Sequence, residues 1–259
     1  MLLSVVIPAR NEEDTIESTL VALSTELDAG VPHEILVVDD DSEDGTRPIV
    51  ERFAASHPCV RLVRNPGPNG FGNAVAFGIR ASTGDAVAIF MADLSDSPRD
   101  LVVYYQKLLE GYDCVFGSRF IKGSRVVDYP FHKLVLNRLA NRFVSIIFGL
   151  RFNDVTNAFK CYRRHVIEGI EPLLSRHFNL TVEMPLKAII RGYSYAVVPI
   201  SWQNRTAGLS KLKVKEMGSR YLFITLYLWL EKHLSRGDYH RNRTVPLPAR
   251  SEQGASRHA

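Results

Sequence analysis

Short apolar runs alternate with longer amphipathic ones through the first 118 residues. The apolar runs cover residues 2–7, 34–38, 60–63, 85–90 and 113–116. They are rich in Val and Ile and nearly continuous, the pattern of strands buried on both faces. Between them, residues 12–27, 46–56, 71–82 and 98–110 carry apolar positions at helical spacing. Asn11 is placed to cap the first helix, and Ser97-Pro98 makes a good start for the last, with Pro98 at its first position. Strands that alternate with helices predict an α/β fold with a doubly wound, mostly parallel sheet. The remainder reads differently: helices over 133–148, 163–174 and 182–191, a strand over 195–202, and a long final helix over 212–234. No internal repeat is visible. The pattern suggests one domain over 1–234, with the alternating half at 1–118 and a second half at 119–234.

Three polar clusters stand directly after predicted strands: PARNEE from Pro8, DDDSEDGT from Asp39 and MADLSDSP from Met91. In an open α/β sheet the carboxyl ends of parallel strands line the ligand crevice, so the three clusters predict one shared polar site. Consecutive acids at Asp39, Asp40 and Asp41 repel one another, which a donor-rich ligand such as a nucleobase or ribose would relieve. A solvated turn that caps the next helix is the plainer alternative. Residues 65–74 (NPGPNGFGNA) form a Gly-rich loop that opens a helix. Gly70 there would allow close approach and the helix N-terminus would favour phosphate, or the loop is only a turn. Asp93 and Asp96 flank Leu94-Ser95, and carboxylates at that spacing suit Mg²⁺ or Mn²⁺ held together with substrate phosphates. Asp93 is the expected ligand; for Asp96 a helix-cap role competes.

Composition narrows the class. With 46% hydrophobic and 23% charged residues among 259, the chain has ordinary globular proportions. Three of its four net positive charges lie in residues 235–259, which carry five arginines and no apolar period, and are expected to form a disordered basic tail. The body is left nearly neutral, so nothing points to nucleic acid. Three widely spaced cysteines suggest neither a disulfide framework nor a zinc site, and the chain opens on a strand pattern rather than a signal sequence, so a cytoplasmic protein is expected. Residues 221–230 (YLFITLYLWL) are uninterruptedly apolar but half the length needed to span a bilayer. Lys211, Lys213, Lys215 and Arg220 lie just upstream. This helix reads equally well as a peripheral contact with the inner face of a membrane or as a core or oligomer-interface helix.

The ordered set VVIPARNEE, VVDDDSEDGT, GFGNA, MADLSDSP and GSRF resembles the family 2 glycosyltransferases of the GT-A fold, particularly the polyprenyl-phosphate (dolichol-phosphate) mannosyl- and glucosyltransferases. DVTNAFKCYRR from Asp154, FNLTVEM from Phe178 and NRTAGLSK from Asn204 extend the resemblance across residues 2–215. It implies an inverting, metal-dependent transfer from a GDP- or UDP-linked sugar to a polyprenyl phosphate. By the same resemblance Pro8, Ala9, Arg10, Glu12, Asp39, Asp40 and Gly70 would surround the nucleotide, and Asp93 would match the last acid of the D-x-D motif. Arg119, Lys133, Asn137, Arg205, Ser210 and Lys211 would lie around the diphosphate and the acceptor phosphate. Glu183 would serve as a base or orient a basic residue. One departure stands out: Met91 occupies the first acidic position of D-x-D, and a thioether is a poor ligand for a hard cation. Transfer to a hydroxyl acceptor, or a catalytically silent nucleotide-sugar-binding partner, are the competing readings.

Overall fold

A computed structural model describes residues 1–204 and 214–241, with the side chains of residues 214–217 left aside. The predicted alternation is observed as β1 (Leu3–Ala9), α1 (Ile16–Leu27), β2 (His33–Asp39), α2 (Thr46–Ser56), β3 (Val60–Arg64), α3 (Phe71–Ala81), β4 (Ala86–Ile89), α4 (Pro98–Leu109) and β5 (Cys114–Ser118). There follow β6 (Arg125–Val127), α5 (Phe131–Phe148), β7 (Lys160–Arg163), α6 (Arg164–Ile170), α7 (Leu180–Ile190), β8 (Tyr195–Pro199), β9 (Ser201–Gln203) and α8 (Val214–Leu234).

Seven strands form one sheet in the order β3-β2-β1-β4-β7-β5-β8. Its pairs are parallel except those of β7, which runs antiparallel between β4 and β5. Every residue of β1 is buried, as expected for a central strand with helices on both faces. One core lies under α1 and α4 around Val5, Ile7, Leu20, Leu101 and Phe159; the other lies under α3, α6 and α7 around Val6, Val75, Phe116 and Tyr162. The alternation of β1 (Val5 and Ile7 to one side, Val6 to the other) supplies both layers.

Several features depart from the sequence reading. The first helix begins at Ile16 and Asn11 does not cap it: Asn11 sits at φ +51° and its Oδ1 accepts from the Glu43 N–H. The predicted strand over 195–202 is divided at Ile200, and β9 leaves the main sheet to pair with β6. The helix predicted over 163–174 stops at Ile170. Strand β7 was not foreseen. It has only four residues, one of them Lys160 and two of them arginine or tyrosine, so its apolar signal is slight. The chain remains packed past Leu234: the Arg241 N–H donates to the Arg191 carbonyl, and Arg241 Nη1 lies 2.7 Å from Asp113 Oδ2. The rest of the predicted tail lies outside the described residues.

Candidate active site

Strands β1, β2 and β4 end side by side, with Ala9 paired to Asp39 and Val6 to Ile89. The loops that follow them are sewn together. The Asn11 N–H donates to Ser42 Oγ, the Glu12 N–H to Thr46 Oγ1 (2.8 Å) and the Glu13 N–H to Asp44 Oδ2. Glu13 returns the link by accepting the Gly45 N–H at 2.7 Å. Pro8, Ala9, Arg10 and Glu12 are thereby fixed against the second acidic cluster.

The consecutive acids are divided by role. Asp40 spends both oxygens on protein, accepting from Asn65 Nδ2 and the Gly70 N–H at 2.8 Å each. Asp39 is fully buried; its Oδ1 accepts from the Ser42 N–H, and its Oδ2 forms an ion pair with Arg47 Nε at 3.0 Å. That ion pair lacks hydrogen-bond geometry, so Asp39 Oδ2 remains a buried acceptor with no hydrogen bond among the described residues. Asp41, half-exposed, meets Arg64 at 3.3 Å.

The Gly-rich loop is a close-packing device, and its helix N-terminus is taken. The N–H groups of Gly72 and Asn73 both point at the Arg176 carbonyl, at 3.0 and 3.3 Å. A side chain at Gly70, whose φ is +153°, would meet that same oxygen at 2.5 Å. One at Gly72 would meet the Ser175 carbonyl at 2.3 Å. Phosphate at the start of α3 is therefore replaced by a docked backbone. The segment that docks there is held in turn by Glu183, which accepts the N–H groups of Leu174 and Ser175 and pairs with Lys187 Nζ at 2.7 Å. With both oxygens engaged and no exposure, Glu183 is an orienting group.

After β4 the chain turns through Leu94 at φ +52°. The Ser95 N–H donates to Asp93 Oδ1 at 3.1 Å, so Asp93 closes the turn with one oxygen. Asp96 is not the cap of α4: that place belongs to Ser97, whose side chain makes no cap bond. Asp96 instead bridges to Trp202 through the backbone and is buried beside Asp93. Burial first, and the Asp93 charge second, push its carboxyl up to about 8, and its Oδ1 has no hydrogen bond among the described residues. Two buried carboxylates, one with an orphaned oxygen, form an oxygen donor set that fits a hard divalent cation. Met91, half-buried at the mouth of this turn, adds no such donor.

Arg119 completes the cluster from the end of β5. Its Nε and Nη2 make a bidentate pair with Asp154 at 2.8 and 2.7 Å, and its own N–H donates to the same carboxylate. Burial opposes the charge, but Asp154 more than restores it and holds the guanidinium charged. Phe120, Tyr129 and Trp202 lie around the guanidinium at 5.4 to 5.7 Å. Beneath it, Lys160 is buried and Nζ donates to the carbonyls of Val155, Asn157 and Thr181. Burial lowers its pKa to about 7, while three acceptors call for the three N–H donors of the ammonium form. Asp154 and Lys160 are the residues that motif reading passed over. Asp154 opens the quoted DVTNAFK segment, so its position, though not its partnership with Arg119, was on view.

The acceptor candidates are scattered by comparison. Lys133 is exposed on α5, while Asn137 bonds Thr156 Oγ1 at 2.9 Å and thus ties α5 to the Asp154 loop. Arg205, Ser210 and Lys211 lie outside the described residues. Gln203, at the end of β9, donates its N–H to the Ser95 carbonyl at 2.9 Å.

Residues 4–170 match the model of the family described as "Glycosyl transferase family 2". The chain is 32% identical over 218 residues to the dolichol-phosphate mannosyltransferase of Pyrococcus furiosus, covering 83% of this chain and 60% of that protein. It is also 32% identical over 184 residues to the polyprenol monophosphomannose synthase of Mycolicibacterium smegmatis, covering 69% of each. Among solved structures it resembles glucosyl-3-phosphoglycerate synthase of Mycobacterium tuberculosis in complex with Mn²⁺, UDP and glucosyl-3-phosphoglycerate, with a TM-score of 0.66 over 89% of this chain and 79% of that one at 20% identity. That likeness is one of fold: the expected GT-A arrangement of a mostly parallel sheet with flanking helices. The sewn strand ends, the Asp93 turn and these matches together place the chain in family 2 of the glycosyltransferases.

Proposed function

We propose that the chain transfers a hexosyl group, with inversion, from a GDP- or UDP-linked sugar to a polyprenyl phosphate at a membrane surface. The observation that carries this reading is the buried Asp93–Asp96 pair with its orphaned oxygen, beside the charged Arg119, at the carboxyl ends of the strands. The two relatives named above are a dolichol-phosphate and a polyprenol-phosphate enzyme, which favours the same acceptor class.

In this reading Asp93 and Asp96 would hold Mg²⁺ or Mn²⁺, in keeping with the Mn²⁺ and UDP of the structural neighbour. When bound, such a cation neutralises charge on the leaving diphosphate. Asp39 Oδ2 offers an acceptor to the nucleoside, and Asp40 shapes the pocket wall by holding Asn65 and Gly70 in place. Arg119, fixed by Asp154, presents an oriented positive charge toward the diphosphate or the acceptor phosphate. A phosphate monoester needs no general base, because its second pKa is about 6 and it is largely dianionic at neutral pH. The involvement of Glu183 in protein contacts agrees with a site that lacks a carboxylate base.

Two helices suit a lipid acceptor. Phe131, Val135, Leu139, Phe143 and Ile146 form an exposed apolar stripe on α5, with Lys133, Arg138 and Arg142 exposed on the same helix. On α8, Ile224 and Leu228 are buried while Phe223, Leu226, Leu230 and Leu234 are exposed. No described helix is long and apolar enough to cross a membrane. The arrangement fits a helix pair lying in the interface plane.

The test is transfer of labelled hexose from GDP- and UDP-linked donors to polyprenyl phosphate in vesicles, with a water-soluble alcohol as the control acceptor. We expect one donor to be used, lipid phosphate to be required, and Asp93→Asn to reduce turnover about 100-fold or more. Turnover on the alcohol alone would move the reading to a hydroxyl acceptor. Donor binding without turnover on either acceptor would make the chain a silent partner and sink the proposal.

A further inference from the structure

At the opposite end of the sheet, Asp28 just after α1, His33 at the start of β2 and Cys59 just before β3 converge. One ligand atom from each lies within 4.8 Å of the others. His33 is at the first position of the strand whose last is Asp39, so the cluster lies roughly 20 Å from the carboxylate turn. Nothing in glycosyl transfer uses it.

The state of His33 is the decisive observation. Its side chain is 5% exposed, yet Nε2 has no hydrogen-bond partner among the described residues. The other ring nitrogen, Nδ1, lies 2.8 Å from the Val31 carbonyl. A carbonyl can only accept, so Nδ1 carries a proton, and in the neutral ring Nε2 then keeps its lone pair. A backbone acceptor on one ring nitrogen with the other left open is the arrangement that orients metal-bound histidines. The open Nε2 faces Asp28 Oδ1 at 3.8 Å, and a neutral imidazole with its lone pair toward a carboxylate gains nothing from that neighbour. A cation between them would satisfy both.

We infer that Asp28, His33 and Cys59 form a zinc-binding site. The donor set decides the metal. One nitrogen, one thiolate and one carboxylate suit Zn²⁺, which takes tetrahedral N, S and O ligands. Mg²⁺ and Mn²⁺, which favour all-oxygen sets, belong instead at the Asp93 turn. In a tetrahedral site with bonds near 2.0–2.3 Å, ligand atoms sit about 3.5 Å apart. His33 Nε2 and Asp28 Oδ1 are already close to that at 3.8 Å, no pair is wider than 4.8 Å, and Asp28, whose side chain is 64% exposed, has room to adjust. Burial, and secondarily the Asp28 charge, push the Cys59 thiol up. Zinc binding reverses that balance: the Zn–S bond forms as the thiol proton leaves to solvent. Three protein ligands leave one position for water. The bound ion would fasten the end of α1 to the entry points of β2 and β3.

The experiment is a titration of the chelator-treated full chain with Co²⁺ and then Zn²⁺, without nucleotide, following the thiolate-to-cobalt charge-transfer absorbance. Wild type and Asp93→Asn should both develop the band, saturate at one equivalent, and lose it when Zn²⁺ displaces Co²⁺. Cys59→Ser should abolish it, while Asp28→Asn, a surface change that leaves folding intact, should weaken zinc affinity at least tenfold. Circular dichroism establishes that each variant is folded. Absence of the band in wild type would overturn the assignment. So would a band that survives Cys59→Ser, since it would then come from the buried Cys114 or Cys161.

Discussion

The crevice at the strand ends and the helix pair α5 and α8 are built on opposite plans. Around the ends of β1, β2 and β4, nearly every polar atom is tied to another loop: Asn11 to Glu43, Glu13 to Gly45, Asp40 to Asn65 and Gly70. On α5 and α8 many of the outward residues are large, apolar and uncovered, with basic residues among them. The first region is complete in itself, its geometry set before any ligand arrives. The second leaves apolar area in water, which is stable only because the buried faces of both helices hold them in place. A preorganised donor pocket beside an unfinished apolar surface is what a transferase acting on a soluble sugar nucleotide and a lipid would need.

The sharpest way to break the comparison is at the seam between the two sides, where Arg119 meets Asp154. Arg119→Met would strand a buried carboxylate and remove both side-chain hydrogen bonds to it. Removal of one partner from a buried pair costs about 3–5 kcal/mol. We expect a large fall in the urea midpoint and loss of transfer, and the double change Arg119→Met with Asp154→Leu should recover much of the stability but none of the activity. Recovery of activity as well would show that Arg119 only holds the loop.

The same contrast governs what could be read from sequence. Strands β1, β2 and β4 declare themselves because each is a continuous apolar run, and their ends coincide with the polar clusters. The convergence of those clusters at one end of the sheet, with Asp93 in its turn, is therefore legible from the pattern alone. Strand β7 did not declare itself, because its place between β4 and β5 depends on pairings with residues some 45 to 75 positions away. The helix start at 71 was legible, but its phosphate reading was not safe: occupation of its N–H groups by the Arg176 carbonyl is a contact across about a hundred residues. Partnerships of this kind, including Arg119 with Asp154, leave no periodic trace. The His33–Cys59 neighbourhood is hidden for the same reason.

A second prediction concerns Asp96 and sharpens the picture of the strand-end crevice. Its carboxyl is held up to about 8, while an unfolded aspartate titrates near 3.9. Between these values the unfolded chain has released a proton that the folded chain retains, so stability falls as pH rises from about 4 to about 8. In EDTA, wild type should lose on the order of 5 kcal/mol across that window through this group, and Asp96→Asn should flatten the decline. A wild-type stability that is level or rising there, unchanged by the substitution, would mean that Asp96 is ionised and paired within the fold.

The smallest expected effect on stability tests the unfinished side. Leu139 and Ile146 on α5 are 62% and 68% exposed, so replacing both by serine removes little buried area. Each change should shift stability by no more than about 0.5 kcal/mol. Binding to anionic vesicles is a different matter, because each apolar side chain moved from water into the interface contributes about 1.5–3 kcal/mol when fully buried. The double variant should therefore bind vesicles at least tenfold more weakly, while keeping its turnover on a short, water-soluble phosphate acceptor. If vesicle binding is unchanged and sedimentation instead shows a dimer dissociating, the stripe on α5 joins two copies of the chain. The contrast between the two sides would survive that outcome, but its explanation would change from a lipid surface to a protein one.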